Sequence, residues 1–184
     1  MRSPSSRSSL AAALILAAAL AAPQVALAAD PATTVVLVRH AEKAKAPQDD
    51  PPLTEEGQRR AGTLAHVAGA LGVDAVFTSQ YARTRQTAAP LAEALGLEPI
   101  EYDAGDSQAL VDRVLSEHRG QTVLIAGHSN TVPPLIGLFG GPELPLIDGR
   151  VYDDLFVLVI PAQGEPTLLH LRYGSVTPLP TPKP

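Results

Sequence analysis

Two adjacent side chains that suit phosphoryl chemistry, Arg39 and His40, follow directly after an apolar run in this sequence. The run, Thr34–Arg39, has the length and composition of a buried strand. Ligands of open parallel sheets bind at the carboxyl ends of the strands, where these two residues fall. An imidazole can act as a nucleophile, and an Arg beside it supplies a fixed positive charge. The pair therefore predicts a site for an anionic substrate at one edge of a sheet.

Two other predicted strands also end in side chains that could bind an anion. Ala75–Thr78 leads into hydroxyl and Arg side chains, with Arg83 and Arg85 at the predicted start of a helix. Residues two apart on a helix do not share a face, so one Arg should point to the sheet edge and the other to solvent or an acid. Thr122–Gly127 leads into His128, which a parallel sheet would place at the same edge as the first pair.

The elements that must position these residues alternate between strand and helix patterns. Strand patterns cover Thr34–Arg39, Ala75–Thr78, Pro99–Tyr102, Thr122–Gly127, Leu155–Ile160 and Thr167–Tyr173. Helical patterns cover Thr54–Leu71, Arg83–Leu95 and Asp106–His118. This alternation predicts an α/β fold with three layers, α/β/α, and a mostly parallel central sheet with a hairpin at its edge. Ala44–Pro52 and Pro133–Arg150 are interpreted as loops that form the pocket walls.

The first residues have the pattern of a secretory signal peptide. A positively charged start precedes the apolar Leu10–Ala22, and an Ala-x-Ala pattern ends at Ala28. We therefore predict a signal peptide at residues 1–28, cleaved after Ala28 or Ala29, and an exported protein that is periplasmic or secreted. The apolar run is short for a membrane span of about 20 residues, so no membrane association is expected after cleavage.

Composition limits the partners. The chain has no Cys, so a disulfide is impossible, and 14 Lys and Arg stand against 19 Asp and Glu. Loss of the leader would remove two Args and make the balance more negative, which argues against nucleic acid as a partner. Residues 178–184 are a Pro-rich tail by composition. The sequence leaves the oligomeric state open.

Four motifs, in order, resemble those of the histidine phosphatase superfamily, which has the phosphoglycerate-mutase-like fold. They are Arg39-His40-Ala41-Glu42, Leu53-Thr54-Glu55-Glu56-Gly57, Ser79 through Arg83-Thr84-x-Gln86-Thr87-Ala88, and Gly127-His128-Ser129-Asn130. The resemblance implies a histidine phosphatase domain at residues 30–177. It also implies that His40 attacks phosphorus to form a phosphohistidine, while Arg39, Arg83 and His128 hold the phosphoryl oxygens. No metal or other cofactor is expected, and the substrate would be a small phosphorylated molecule.

The acid that protonates the leaving oxygen stays open in the sequence. The possible residues are Glu42, Glu101, Asp103 and Asp106, and lack of a dedicated acid would resemble the short bacterial phosphohistidine phosphatases. Asp106 also has the position of a helix N-cap. We favour a phosphatase of phosphomonoesters over a mutase, because the short chain leaves little room for a lid that would keep water from the phosphohistidine.

Two hypotheses for the function lie outside this enzyme class. Gly127-His128-Ser129-Asn130-Thr131 partly matches the nucleophile elbow of serine hydrolases, with Ser129 as the nucleophile, although Thr131 replaces the second Gly. Alternatively, the chain binds a phosphorylated ligand without turnover, because fixed charges can bind an anion without reacting.

Overall fold

A computed structural model describes residues 30–177 of the 184-residue chain. The predicted signal peptide at 1–28 and the Pro-rich tail at 178–184 lie outside the described residues. Within them, no helix is both long enough and apolar enough to span a membrane.

Six strands form one mixed sheet. They are β1 (Thr33–Arg39), β2 (Ala75–Ser79), β3 (Ile100–Tyr102), β4 (Thr122–Gly127), β5 (Asp154–Ile160) and β6 (Thr167–Arg172). Their order in the sheet is β3-β2-β4-β1-β5-β6. The first four strands are parallel, whereas β5 runs antiparallel to β1 and pairs with β6 as a hairpin. The predicted mostly parallel sheet with an edge hairpin is confirmed.

Helices cover both faces of the sheet. They are α1 (Glu55–Ala68, continued by the 3-10 turn Gly69–Leu71), α2 (Ala82–Leu95), α3 (Ser107–Glu117) and α4 (Val132–Leu138). On β1, Val36 and Val38 pack in the cluster that includes residues of α1 and α2, while Val35 and Leu37 pack in the cluster that includes residues of α3 and α4. Side chains alternate between faces of a strand, so a continuous apolar run becomes the middle of three layers. The predicted α/β/α class is confirmed.

The interpretation of Pro133–Arg150 as a loop was wrong for its first residues, which belong to α4. Pro133 and Pro134 occupy the first turn of that helix. Proline is tolerated there because the first backbone N–H groups of a helix have no intrahelical acceptor. These two prolines, which suggest a loop in the sequence, thus lie at the start of a helix in the structure.

A buried ion pair fixes the loop that follows β1. Arg60 of α1 is 2% exposed and donates to both carboxylate oxygens of Glu42, with its shortest bond at 2.7 Å. The same guanidinium donates to the carbonyls of Tyr173 and Ser175, each at 2.9 Å. Gly57 of α1 packs so closely on the Glu42 backbone that a Cβ there would overlap the Glu42 carbonyl oxygen. These contacts hold the segment after His40 against α1 and the end of the sheet.

Candidate active site

The strand register brings the predicted residues to one edge of the sheet. Arg39 of β1 lies opposite Gly127 of β4, and the His40 N–H donates to the Gly127 carbonyl over 2.9 Å. The side chains of His40 and His128 therefore follow neighbouring strands, with ring centroids 5.4 Å apart. Both are buried, at 4% and 7% exposure.

The hydrogen bond made by His40 determines which ring nitrogen is free. Nδ1 lies 2.8 Å from the carbonyl oxygen of Ala41. A carbonyl can only accept, so Nδ1 carries the proton and Nε2 keeps its lone pair. Burial lowers the pKa of His40 to about 3, and the positive charges of Arg39 and other neighbours act in the same direction, while the bond to Ala41 opposes them. His40 is thus a neutral imidazole at physiological pH, as a nucleophile must be.

A chain of hydroxyl groups determines the orientation of His128. Its Nε2 lies 2.9 Å from Ser79 Oγ, which lies 2.9 Å from Thr84 Oγ1. Thr84 directs its single hydroxyl proton to a backbone carbonyl, that of Tyr81 at 2.8 Å or of Ser79 at 3.0 Å. Ser79 must then donate to Thr84, so it accepts from His128 Nε2–H. A proton gained by His128 would therefore go to Nδ1.

The pKa of His128 is lowered to about 4, first by burial and then by the charges of Arg83 and Arg39. In the free protein at neutral pH, His128 is therefore neutral. An anion bound beside it would favour its protonated form, because an opposite charge stabilises the imidazolium.

Backbone carbonyls, rather than carboxylates, hold Arg39 in place. Its Nη atoms donate to the carbonyls of Asp148, Gly149 and Val151 at 3.0, 3.0 and 2.6 Å. Its guanidinium also stacks on the Tyr152 ring at 3.9 Å. Among the described residues, its buried Nε has no hydrogen-bond partner. Neutral partners fix the orientation of the guanidinium and leave its positive charge for an anion.

The side chains of Arg83 and Arg85 point in different directions, as the helix geometry predicts. Arg83, in the first turn of α2, has a side chain only 15% exposed, stacks on Tyr81 at 4.2 Å and keeps a buried Nε without a partner in the described part of the chain. Arg85 is 46% exposed and lies 3.5 Å from Glu101. Within residues 30–177, Arg39 and Arg83 thus each keep a buried N–H donor without a partner, beside the two imidazoles. Buried donors rarely remain unpaired, so these two indicate an anion site.

Two of the four possible acids have structural roles. Glu42 is the partner of buried Arg60. Asp106 accepts from the Ala109 N–H at 3.0 Å and caps α3, the alternative role that its position suggested.

The other two follow β3. Glu101 is exposed and pairs with Arg85. Asp103 lines a cleft of about 380 Å³ whose wall also includes Arg83 and His128. Asp103 is therefore the acid of the four that shares a cleft with predicted site residues.

Asp50 is a site-edge residue that the sequence reasoning missed. Its Oδ1 accepts from the Ala82 N–H at 2.8 Å, at the start of α2, and lies 3.8 Å from Arg83. Its Oδ2 lies 3.8 Å from Arg85. An acid in a loop 32 residues before the helix that it caps has no sequence signature.

The geometry does not support the nucleophile-elbow reading. His128 pairs with Ser79, and no hydrogen bond joins Ser129 to a His among the described residues. His170, the only later His, pairs with Asp154 at 2.6 Å. Residues 30–177 also contain no group of three His, Asp or Glu side chains placed to hold a metal ion.

The fold and this arrangement define an α/β protein with two buried imidazoles and two Arg side chains gathered at the carboxyl edge of its sheet. Comparison with known proteins is consistent with that class. A family model described as "Histidine phosphatase superfamily (branch 1)" matches residues 35–105. Over these residues the chain is similar to this superfamily, and the relatives and structures below are phosphoglycerate-mutase-like proteins or phosphatases by name.

Curated relatives match over part of their length. The "Probable phosphoglycerate mutase GpmB" of Cronobacter sakazakii is 42% identical over 72 residues, which is 36% of this chain and 34% of that protein. A protein of the same name from an Enterobacter species is 39% identical over 99 residues, 47% of this chain and 46% of its own. The chain thus spans about a third to a half of these relatives.

Solved structures match this chain over most of their own length. The putative phosphohistidine phosphatase SixA of Agrobacterium tumefaciens has a TM-score of 0.57 and 25% identity, covering 76% of this chain and 97% of that one. The protein histidine phosphatase SixA complexed with tungstate has a TM-score of 0.61 and 19% identity, covering 76% and 96%.

Proposed function

We propose that this chain is a metal-independent phosphatase that hydrolyses phosphomonoesters through a phosphohistidine on His40. The observation that carries the proposal is the bond from His40 Nδ1–H to the Ala41 carbonyl, which leaves a neutral, buried Nε2 beside positive groups. The match of residues 35–105 to the histidine phosphatase superfamily supports the same chemistry.

In the first step, the His40 Nε2 lone pair forms a bond to phosphorus as the bond from phosphorus to the leaving oxygen breaks. The leaving oxygen takes a proton from water or from an acid at the cleft. The phosphoryl oxygens accept from Arg39 Nε and Arg83 Nε, the two donors that have no partner among the described residues. A transferring phosphoryl group spreads negative charge over three oxygens, so preorganised donors stabilise the transition state more than the ground state.

His128 acts as an electrostatic partner rather than as the nucleophile. Its Nε2–H is committed to Ser79, so a proton on Nδ1 makes it a cation that attracts the phosphoryl group. A bound phosphate dianion raises the pKa of His128 from its low value of about 4 in the free protein. In the second step, water attacks phosphorus, the bond to Nε2 breaks, and inorganic phosphate leaves.

A second substrate class follows from the structural matches. The SixA structure from Agrobacterium tumefaciens is titled a putative phosphohistidine phosphatase and covers most of both chains. Hydrolysis of phosphohistidine on a protein would use the same attack by His40, with an imidazole as the leaving group. A mutase reaction, which the names of the GpmB relatives suggest, would also begin with the same attack.

Hydrolysis of para-nitrophenyl phosphate in the presence of EDTA tests the proposal. We expect turnover by the wild type and none by His40→Ala, with Ser129→Ala as the matched control for the serine-hydrolase reading. Activity that survives in His40→Ala would contradict the phosphohistidine mechanism. Binding of inorganic phosphate without turnover of any ester would instead indicate a ligand-binding protein. Phosphohistidine peptides assayed in parallel separate the two substrate classes.

A further inference from the structure

The cleft beside the site has walls of uneven charge. Its polar lining includes Gln80, Asp103 and Asn130, and its positive groups are Arg83 and the ionisable His128. Under the proposed function, both of the latter bind the phosphoryl group. The remainder of a substrate would therefore meet the polar wall.

Asp103 is the charged group on that wall. Its Oδ1 accepts from the Gly105 N–H at 2.8 Å, which folds the carboxylate back over the turn after β3. Among residues 30–177, no Lys, Arg or His lies within ion-pairing distance of it. Glu101, two residues earlier, differs because Arg85 lies 3.5 Å from its carboxylate. The cleft therefore presents an uncompensated negative charge to whatever leaving group occupies it.

The other polar side chains of the wall are neutral amides. Gln80 Oε1 accepts from the Ala104 N–H at 3.1 Å, so its NH₂ group is its remaining hydrogen-bonding group. Asn130 is exposed at the cleft. An amide N–H donates to a hydroxyl oxygen, and an amide carries no charge to neutralise a carboxylate.

We infer that Asp103 determines specificity, and that the substrates are phosphate esters whose alcohol is a neutral or amino-bearing polar group rather than an acid. The inference rests on the proposed phosphatase function and deepens it. A phosphorylated carboxylic acid would place its second negative charge near Asp103, where no described cation of the wall is free to offset it. An ammonium group there would be attracted instead. Specificity arises here from repulsion of one class as well as attraction of another.

Asp103 could instead be the general acid, and the two roles have different consequences. An acid that protonates the leaving oxygen serves all alkyl phosphates alike, so its loss lowers their rates by one common factor. A carboxylate that selects substrates by their charge instead changes the relative kcat/KM values of differently charged esters. Three alkyl esters with different charges distinguish these roles: 3-phosphoglycerate with a carboxylate, glycerol 3-phosphate with no further charge, and phosphoethanolamine with an ammonium.

The experiment measures kcat/KM for these three esters in the wild type and in Asp103→Asn. We expect the wild type to prefer phosphoethanolamine over 3-phosphoglycerate. In Asp103→Asn that ratio should fall about tenfold, which is about 1.4 kcal/mol. This size is consistent with an exposed charge that attracts one of the two ligands and repels the other. The change should shrink at high salt, which screens exposed charges.

Glu101→Gln is the matched control, because it removes the same charge from a carboxylate that is already paired. Its ratio should shift much less than that of Asp103→Asn. A ratio in Asp103→Asn within about twofold of wild type would overturn the inference, as would an equal fall for all three esters. Failure of the wild type to hydrolyse any ester, including para-nitrophenyl phosphate, would instead refute the proposed function.

Discussion

Lowering the pH from about 7.5 to about 5 should destabilise the folded protein through two buried imidazoles, His40 and His128. In the unfolded chain each protonates with a pKa near 6.5, whereas in the folded protein burial lowers these pKa values to about 3 and about 4. The unfolded state therefore binds more protons below pH 6.5. Stability is complete above that pH and is lost as the pH falls toward the folded-state values.

The size of the effect follows from these pKa values. Linkage gives a loss of about 2 kcal/mol for each imidazole between pH 7.5 and 5, and about 4 kcal/mol for the two. That is a large share of a typical unfolding free energy of about 5–15 kcal/mol. The two rings lie 5.4 Å apart, so the first protonation should further disfavour the second.

Urea unfolding at the two pH values, followed by circular dichroism, measures this loss. His40→Asn and His128→Asn should each reduce it by about 2 kcal/mol, because Asn does not titrate in this range. His66→Asn, at an exposed position of α1, is the control and should retain the full loss. An equal loss in the wild type and in the double variant His40→Asn/His128→Asn would show that these two imidazoles are not the source of the loss.

Three further predictions concern packing, the hydroxyl chain and export. Gly57→Ala should destabilise the protein by about 1–3 kcal/mol, because its Cβ would overlap the Glu42 backbone. Gly62→Ala in the same helix has open space around its Cβ and should stabilise the protein by up to about 1 kcal/mol. Melting temperatures that shift in the same direction for both variants would contradict this. Ser79→Ala removes the acceptor of His128 Nε2–H and should lower kcat/KM for para-nitrophenyl phosphate about tenfold, and an unaltered value would exclude the hydroxyl chain from orienting His128. Export would yield a mature N-terminus at Ala29 or Asp30, and N-terminal sequencing that finds Met1 in the exported fraction would contradict cleavage.

The convergence of Arg39, His40 and His128 could be predicted from the sequence. Each follows an uninterrupted apolar run, and such runs separated by helical patterns form adjacent parallel strands with a shared carboxyl edge. The separation of Arg83 from Arg85 also follows from the period of a helix. These inferences depend on local periodicity and on a topology with few alternatives.

The hydrogen bonds that hold the site residues in place could not be predicted in this way. The carbonyls that hold Arg39 come from residues 109 to 112 positions later in the chain, in a segment without periodicity. Any residue type offers a carbonyl, so side-chain patterns do not identify these acceptors. The cap that Asp50 provides to α2 likewise depends on loop conformation rather than on residue type. α4 was missed because its two prolines are common in loops and also suit a first helical turn.

Trapping the covalent intermediate is the most direct test of nucleophilic attack by His40. The protein is mixed rapidly with para-nitrophenyl phosphate, quenched in alkali, which preserves phosphoramidates, and examined by mass spectrometry of peptides and by phosphorus NMR. We expect one phosphoryl group on His40, attached to Nε2, since Nδ1 donates to Ala41. It should be lost in acid and absent from His40→Ala. A phosphoryl group on His128 or on a Ser, or turnover with no phosphorylated His40 at any time during the reaction, would contradict attack by His40.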